Sequence, residues 1–423
     1  MENRTPKPRN RFTRLLSVLG PGVITGAADD DPSGIATYTV AGAQLGTSML
    51  WTALLTWPLM AAVQMMCARI GMVRGQGLAA ALRAKFPRQV LLVVAVALFL
   101  ANTINVGADL IAMADAAAML TGLSSHVFVI AFGVLITWAT VKFKYDRIAS
   151  VLKWLALSLV AYIITTFIVK PDWGRALHDT FVPAWPSSHQ AWSTLVALLG
   201  TTISPYLFFW QASQEVEEEK AMGRRLRVDR LGASKQELSD RRLDVGAGTI
   251  ASNLVMYFII LTAALTLHKA GQTDIETSRQ AAEALRPLAG NLAYLLYTLG
   301  ILGVGLLSIP TLTGSAAYAF AETFHWRQGL DNTFKRAKPF YTVMIVSTAC
   351  GMLLDFIGIS PIKALYWSAV LNGLLAPFLL AGILLVAADR KLMQGQPSPR
   401  LGIVVVGFTT LAMLAAGVAM FVL

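Results

Sequence analysis

Residues 20–46 read GPGVITGAADDDPSGIATYTVAGAQLG. The flanks are small and apolar enough for a membrane-crossing helix, yet the middle carries Asp29, Asp30, Asp31, Pro32 and Gly34. Pro32 has no backbone donor and clashes with the preceding turn, so the helix is expected to break there. An ionised aspartate at bilayer depth costs about 2.5–3.5 kcal/mol on insertion scales. Three in a row are tolerable only if they face water, a cation or protein. Carbonyls freed around Ala27 and Ala28 can line a cavity, a setting in which unwound backbone is accepted at that depth. Carbonyls plus carboxylates make an oxygen-rich site that suits hard divalent cations. The alternative is a plain loop between two short segments, with Asp30 capping a helix.

The surrounding chain is that of an all-α polytopic membrane protein. It has 423 residues, 55% hydrophobic and 14% charged, with a mean hydropathy of +0.59; soluble domains carry about 25% charged residues. Apolar stretches of membrane-spanning length recur about eleven times. They fall near 16–42, 48–70, 90–119, 126–142, 149–170, 193–221, 243–268, 291–321, 340–358, 361–387 and 401–423. No room is left for a soluble part, so 1–423 reads as one transmembrane domain. The net charge of +11 fits basic cytoplasmic loops beside anionic lipid rather than nucleic acid. Cys67 and Cys350 lie inside apolar stretches and imply no disulfide framework. The N-terminus is basic and proline-containing, without a cleavable signal pattern.

Basic residues occupy alternate loops. They concentrate in the tail (Arg4, Lys7, Arg9, Arg11, Arg14) and in 69–88, 142–147, 223–242, 327–338 and 389–400. That pattern predicts a cytoplasmic N-terminus. An odd number of spans then puts Leu423 outside, in a cell membrane such as a bacterial inner membrane.

A second interruption lies at Gly200–Trp210, GTTISPYLFFW. Each break has a proline, and each opens a group of five spans. Paired interruptions in corresponding halves point to a secondary-transporter site. Five helices per half require the halves to be inverted: repeat 1 at about 16–170, repeat 2 at about 193–387, and an extra helix at 401–423. Asp31, directly before the proline, is the first candidate ligand. Asp29 and Asp30 either touch the ion or face a vestibule. Thr201, Thr202 and Ser204 either complete the coordination or merely satisfy a kinked backbone. Asp109 is a further intramembrane acid, suited to relaying a proton or pairing with a base, and Asp115 lies near the end of the same helix. The run EVEEEK (215–220) either gathers cations at a cytoplasmic mouth or is a solvated helix end balanced by arginines after 223. No phosphate loop, nucleophile elbow, zinc-type histidine pair or HExxH occurs. An enzyme or ATP-driven pump is therefore not expected, nor is a cofactor.

GPGVITGAADDDPSGIATYTVAGAQLGTSMLW and MAAVQMMCARIGMVRGQGLAAALR together resemble the first two helices of the NRAMP family of divalent metal transporters. That family carries GPG, DPGN, AGAQ-G and LQ…ARLG…G…LA there. The resemblance continues more weakly through ADLIAMADA, GTTISPYLFFWQAS and SAVLNGLLAPF. It implies a LeuT-type fold of 5+5 inverted helices plus an eleventh, with helices 1 and 6 broken. It also implies that Asp31 is the metal-binding aspartate, that Ala28 and Thr201 offer carbonyls, and that Asp109 matches an aspartate associated with proton transfer. The family's asparagine ligand falls on Gly34. Its Met-Pro-His falls on Ser204, Pro205 and Tyr206, and the glutamate companion of Asp109 is Ala112. The site expected from Asp31, Ala28, Gly34, Thr201, Ser204 and Asp30 is thus all oxygen, which suits magnesium or manganese better than softer metals. The missing histidine and glutamate weaken the case for proton symport. A divergent NRAMP-related importer of manganese- or magnesium-like ions, with iron as a further candidate, is the leading expectation. The alternative is a LeuT-type permease for an organic cation or an amino acid, with Gly34 opening space beside the break. The expected partners are the transported ion, H+ if transport is coupled, and the lipid bilayer.

Overall fold

The computed structural model describes residues 20–143 and 157–423. The basic tail at 4–14 and most of the loop at 142–147 lie outside the described residues. The first expected span is two helices, α1 (Pro21–Asp29) and α2 (Pro32–Leu45). The sixth is likewise two, α8 (His189–Thr202) and α9 (Pro205–Ala221). Between them lie α3 (Leu50–Arg74), α4 (Arg88–Thr121), α5 (Ser125–Lys142), α6 (Val160–Val169) and the short surface helix α7 (Trp173–Phe181). After them come α10 (Lys235–Ala263), α11 (Ala293–Phe324), α12 (Lys338–Leu354), α13 (Pro361–Ala387) and α14 (Arg400–Val422).

Among the described residues nine helical stretches are long and apolar enough to cross a membrane, against about eleven expected. Two features account for the difference. A 3-10 turn at Gly46–Met49 joins α2 to α3 in one stretch, Pro32–Arg74. In the expected span 149–170, residues 149–156 lie outside the described residues and α6 supplies only 10 residues.

The two breaks share one local design. The chain leaves the helix for two residues, Asp30–Asp31 or Ile203–Ser204, and the next helix starts with proline. The residue before a proline is pushed out of the helical region. Asp31 (φ −67°, ψ 172°) and Ser204 (φ −78°, ψ 133°) are accordingly extended. Proline at the first helical position loses nothing, because its missing donor has no partner there anyway.

The broken helices are central. The α8–α9 pair is the most deeply buried of the membrane-length stretches, whereas α5 turns most of its surface outward. Helix α3 packs on α10, and α4 on α11. Each is the second or third span of its half lying on its counterpart. Helix α1 lies along α10, α9 along α3, and α8 against α13; α14 covers α8 and α13.

The described basic loops meet at one end of the bundle. Lys85 pairs with Asp389 at 2.9 Å, and Arg74 Nη1 donates to the Leu392 carbonyl at 2.8 Å. Gly232 N donates to Val73 O at 2.9 Å, and Arg83 Nη1 to Glu322 O at 2.9 Å. The less basic loops meet at the other end, where Thr47 donates to Asp179, Ser278 N to Asp115 at 2.9 Å, and Lys363 pairs with Glu276. Cys67 is buried and Cys350 exposed, and both are free thiols.

Candidate metal site

The site is built where the two breaks face each other. Asp31 is 2% exposed. Its Oδ1 accepts from Gly34 N at 2.7 Å, the side-chain cap that starts α2. Its Oδ2 accepts from Asn105 Nδ2 of α4 at 3.1 Å. That amide also lies 3.5 Å from Asp109 Oδ2, which accepts from Ser308 of α11 at 3.1 Å. Asn372 of α13 donates to Asn105 Oδ1 at 3.3 Å. Asp31 and Asp109 are thus one amide apart, and Asp109 has no basic partner among the described residues.

Asp29 and Asp30 face a different helix. Ser252 Oγ of α10 lies 2.7 Å from Asp29 Oδ2 and 3.1 Å from Asp30 Oδ1. Asp30, expected with Asp31 at the ion, is therefore hydrogen-bonded on the α10 side of the break. Among the described residues no three His, Cys, Asp or Glu side chains converge on one point.

The remaining expected residues do gather. Ala28 O accepts from Tyr206 OH of the second break at 2.8 Å, a direct tie between the two interruptions. A carbonyl has two lone pairs, so one stays available. Ser204 Oγ turns back on its own helix and donates to Gly200 O at 2.7 Å or Thr201 O at 2.8 Å, leaving only lone pairs to offer. Gly34 opens little space. A Cβ there would lie 3.3 Å from both Asp29 O and Thr201 Oγ1, so a longer side chain, such as the family's asparagine, would crowd both.

The end of α1 away from the break is held shut. Asp244 of α10 accepts from Gly20 N at 2.8 Å, Gly22 N at 2.7 Å and Val23 N at 3.1 Å, satisfying the free donors of a helix start. Arg241 pairs with Asp244 and Glu218, and at 2.8 Å with Glu215. The run EVEEEK is thus partly buried: Glu215 is 1% exposed, and its base comes from α10. Arg224 meets Glu219 at 3.5 Å, so one arginine after 223 acts as expected. Along this contact Gly26 and Gly248 meet backbone to backbone; a Cβ on Gly26 would lie 2.6 Å from Gly248 C. A cavity of about 230 Å³ lies at the other end, lined by residues including Gln44, Ser193, Asp274 and Tyr366.

Asn105, Ser252, Ser308 and Asn372 were not anticipated from the sequence. Asn105 was the most accessible, because it stands four residues before Asp109 on the same helix face.

Comparison with known proteins follows the same lines. The profile of natural resistance-associated macrophage protein-like (Nramp) chains matches residues 22–423. The chain is 27% identical over 386 residues to the divalent metal cation transporter MntH of Chromohalobacter salexigens, covering 89% of this chain and 84% of that protein. It is 25% identical over 394 residues to MntH of Deinococcus radiodurans, covering 92% and 85%. The crystal structure of the Eremococcus coleocola manganese transporter superposes with a TM-score of 0.77 at 17% identity, over 99% of this chain and 90% of that one. Mhp1, a nucleobase-cation-symport-1 family transporter in a closed conformation, gives 0.57 at 14% identity, over 95% and 90%. These likenesses bear out the LeuT-type architecture with its broken first and sixth helices. From residue 22 to its last residue, the chain belongs to the Nramp family.

Proposed function

We propose that the protein imports divalent metal ions of the manganese and magnesium kind by alternating access. One observation carries the reading. Asp31 lies 2% exposed where two broken helices meet, and only neutral donors, Gly34 N and Asn105 Nδ2, bond to its carboxylate. A carboxylate buried without a base is strongly unfavourable, and a transported cation removes that cost. Asp31 supplies the charge, Ala28 and Thr201 supply carbonyls, and Ser204 supplies lone pairs. An ion that keeps part of its water shell needs few protein ligands. The MntH relatives, named for divalent metal cations, support the same cargo. The repeats at 16–170 and 193–387 rock against each other, and the basic-loop end faces the cytoplasm. Asp109, linked to Asp31 through Asn105, is the group on which any coupled proton rides. An organic cation or amino acid is disfavoured, because even a Cβ on Gly34 would lie 3.3 Å from Asp29 O and Thr201 Oγ1, so little space opens beside the break.

The test is uptake by proteoliposomes of Mg, Mn, Fe and Ca, with a pH dye inside. The wild-type chain takes up Mn or Mg, and Asp31→Ala abolishes it. Uptake unchanged by that substitution overturns the assignment of the site. Internal acidification tracking the metal shows proton symport; a silent dye shows uncoupled transport.

A further inference from the structure

The family motif quoted above has one acid, matched by Asp31. Asp29 and Asp30 are left over, and they do not share the surroundings of Asp31. At the end of α1 and in the two-residue break after it, Asp31 turns to α4 while Asp29 and Asp30 turn to Ser252 of α10. One hydroxyl carries one hydrogen, so Ser252 can donate to only one of the two carboxylates at a time. Asp29 Oδ1 is buried with no hydrogen-bond partner at all, on a residue with no exposed surface. No basic side chain pairs with either acid among the described residues. Two acidic groups and a hydroxyl oxygen therefore face one another, short of positive charge and with lone pairs to spare.

We propose that Asp29, Asp30 and Ser252 form a second divalent-cation site, on the α10 side of the break and distinct from the site at Asp31. This deepens the transport reading above and rests on it. The donor set is two carboxylates and a neutral oxygen, the kind of partial shell that a hydrated hard dication accepts, with water completing it. The site bridges α1 and α10 one turn from the Gly26–Gly248 contact, which lies between it and the basic-loop end. An ion released by Asp31 is received there before α1 parts from α10.

The test is a titration of the purified full chain with Mn2+, read as free Mn2+ by electron paramagnetic resonance, with Mg2+ as competitor. The expected result is two bound Mn2+ per wild-type chain, one in Asp31→Asn and one in the double variant Asp29→Asn/Asp30→Asn. Size-exclusion profiles matching the wild type show that each variant is folded. Ser252→Ala keeps both acids and is expected to weaken one class of Mn2+ several-fold while leaving the other unchanged. One Mn2+ in the wild type, lost equally in Asp31→Asn and in the double variant, overturns the second site but leaves the transport reading standing. Two Mn2+ in the double variant also overturn it. No Mn2+ bound to the wild type overturns the transport reading itself. One Mn2+ that survives Asp31→Asn and disappears in the double variant supports the second site and moves the ion away from Asp31.

Discussion

The two breaks share a backbone design and differ in what satisfies them. At the first, the polar atoms are held from outside: Asn105 of α4 serves Asp31, and Ser252 of α10 serves Asp29 and Asp30. At the second, Ser204 bonds to carbonyls of its own last turn, and Tyr206 reaches across to Ala28 O. The first break is charged and depends on neighbouring helices. The second is neutral and largely self-contained. A carboxylate buried among neutral donors is held in place by partners that can move relative to one another. A hydroxyl bonded to its own turn is not. The contrast suggests that the first break carries the charge-dependent part of the cycle while the second provides a fixed wall.

Five substitutions at four positions test that contrast. Asp31→Asn removes the charge and should reduce Mn uptake by at least about a hundredfold, in keeping with the 3–5 kcal/mol typical of unpairing a buried charge; a loss under tenfold would put the ion elsewhere. Gly26→Leu pushes a side chain into Gly248 and should prevent α1 from closing on α10. Overpacking costs about 1–3 kcal/mol, so uptake should fall about tenfold while Mn binding persists. Parallel losses of binding and uptake would mean that the α1–α10 contact shapes the site rather than the movement. Asn105→Ala strips Asp31 of its external donor and should weaken Mn binding roughly tenfold, the size of a hydrogen bond to a charged group; unchanged affinity would make Asn105 a spectator. Ser204→Ala should change Mn affinity by no more than about threefold, since it loses only a neutral bond within one turn. Ser204→Met, in contrast, should shift preference towards cadmium or iron by adding a thioether, and competition uptake would reveal it.

Both breaks were legible because each proline follows a polar residue. Proline alone is a weaker signal: Pro58, Pro310 and Pro377 sit inside unbroken helices. There the preceding residues are Trp57, Ile309 and Ala376, which have no side-chain donor or acceptor suited to capping a new helix start. Asp31 has one, and uses it on Gly34 N. The partners of the acids were much less legible. Ser252 stands beside Asn253 in α10 and Asn372 in an apolar stretch of α13, and their sequence surroundings do not say which neighbour they face. The base that meets Glu215 was hidden by a boundary. The expected span began at 243, so Arg241 counted as loop charge, whereas α10 starts at Lys235. The signal was present: Ser234 and Glu237 form a capping box, with each side chain bonded to the other's backbone.

The α1–α10 contact through Gly26 and Gly248 has a mechanical consequence. Interlocked side chains act like teeth, and pulling them apart empties sockets that resist separation. Two bare backbone faces have no teeth. On the transport reading proposed above, helix α1 swings from α10 along this contact with no sockets to empty. The joint is held at its two ends: Asp244 grips the first turn of α1 and Arg241 ties that grip to Glu215 and Glu218, while Ser252 meets Asp29 and Asp30 at the break. On that reading the hinge opens by releasing a few polar contacts at the two ends of the joint, and those contacts rather than its area set its resting position.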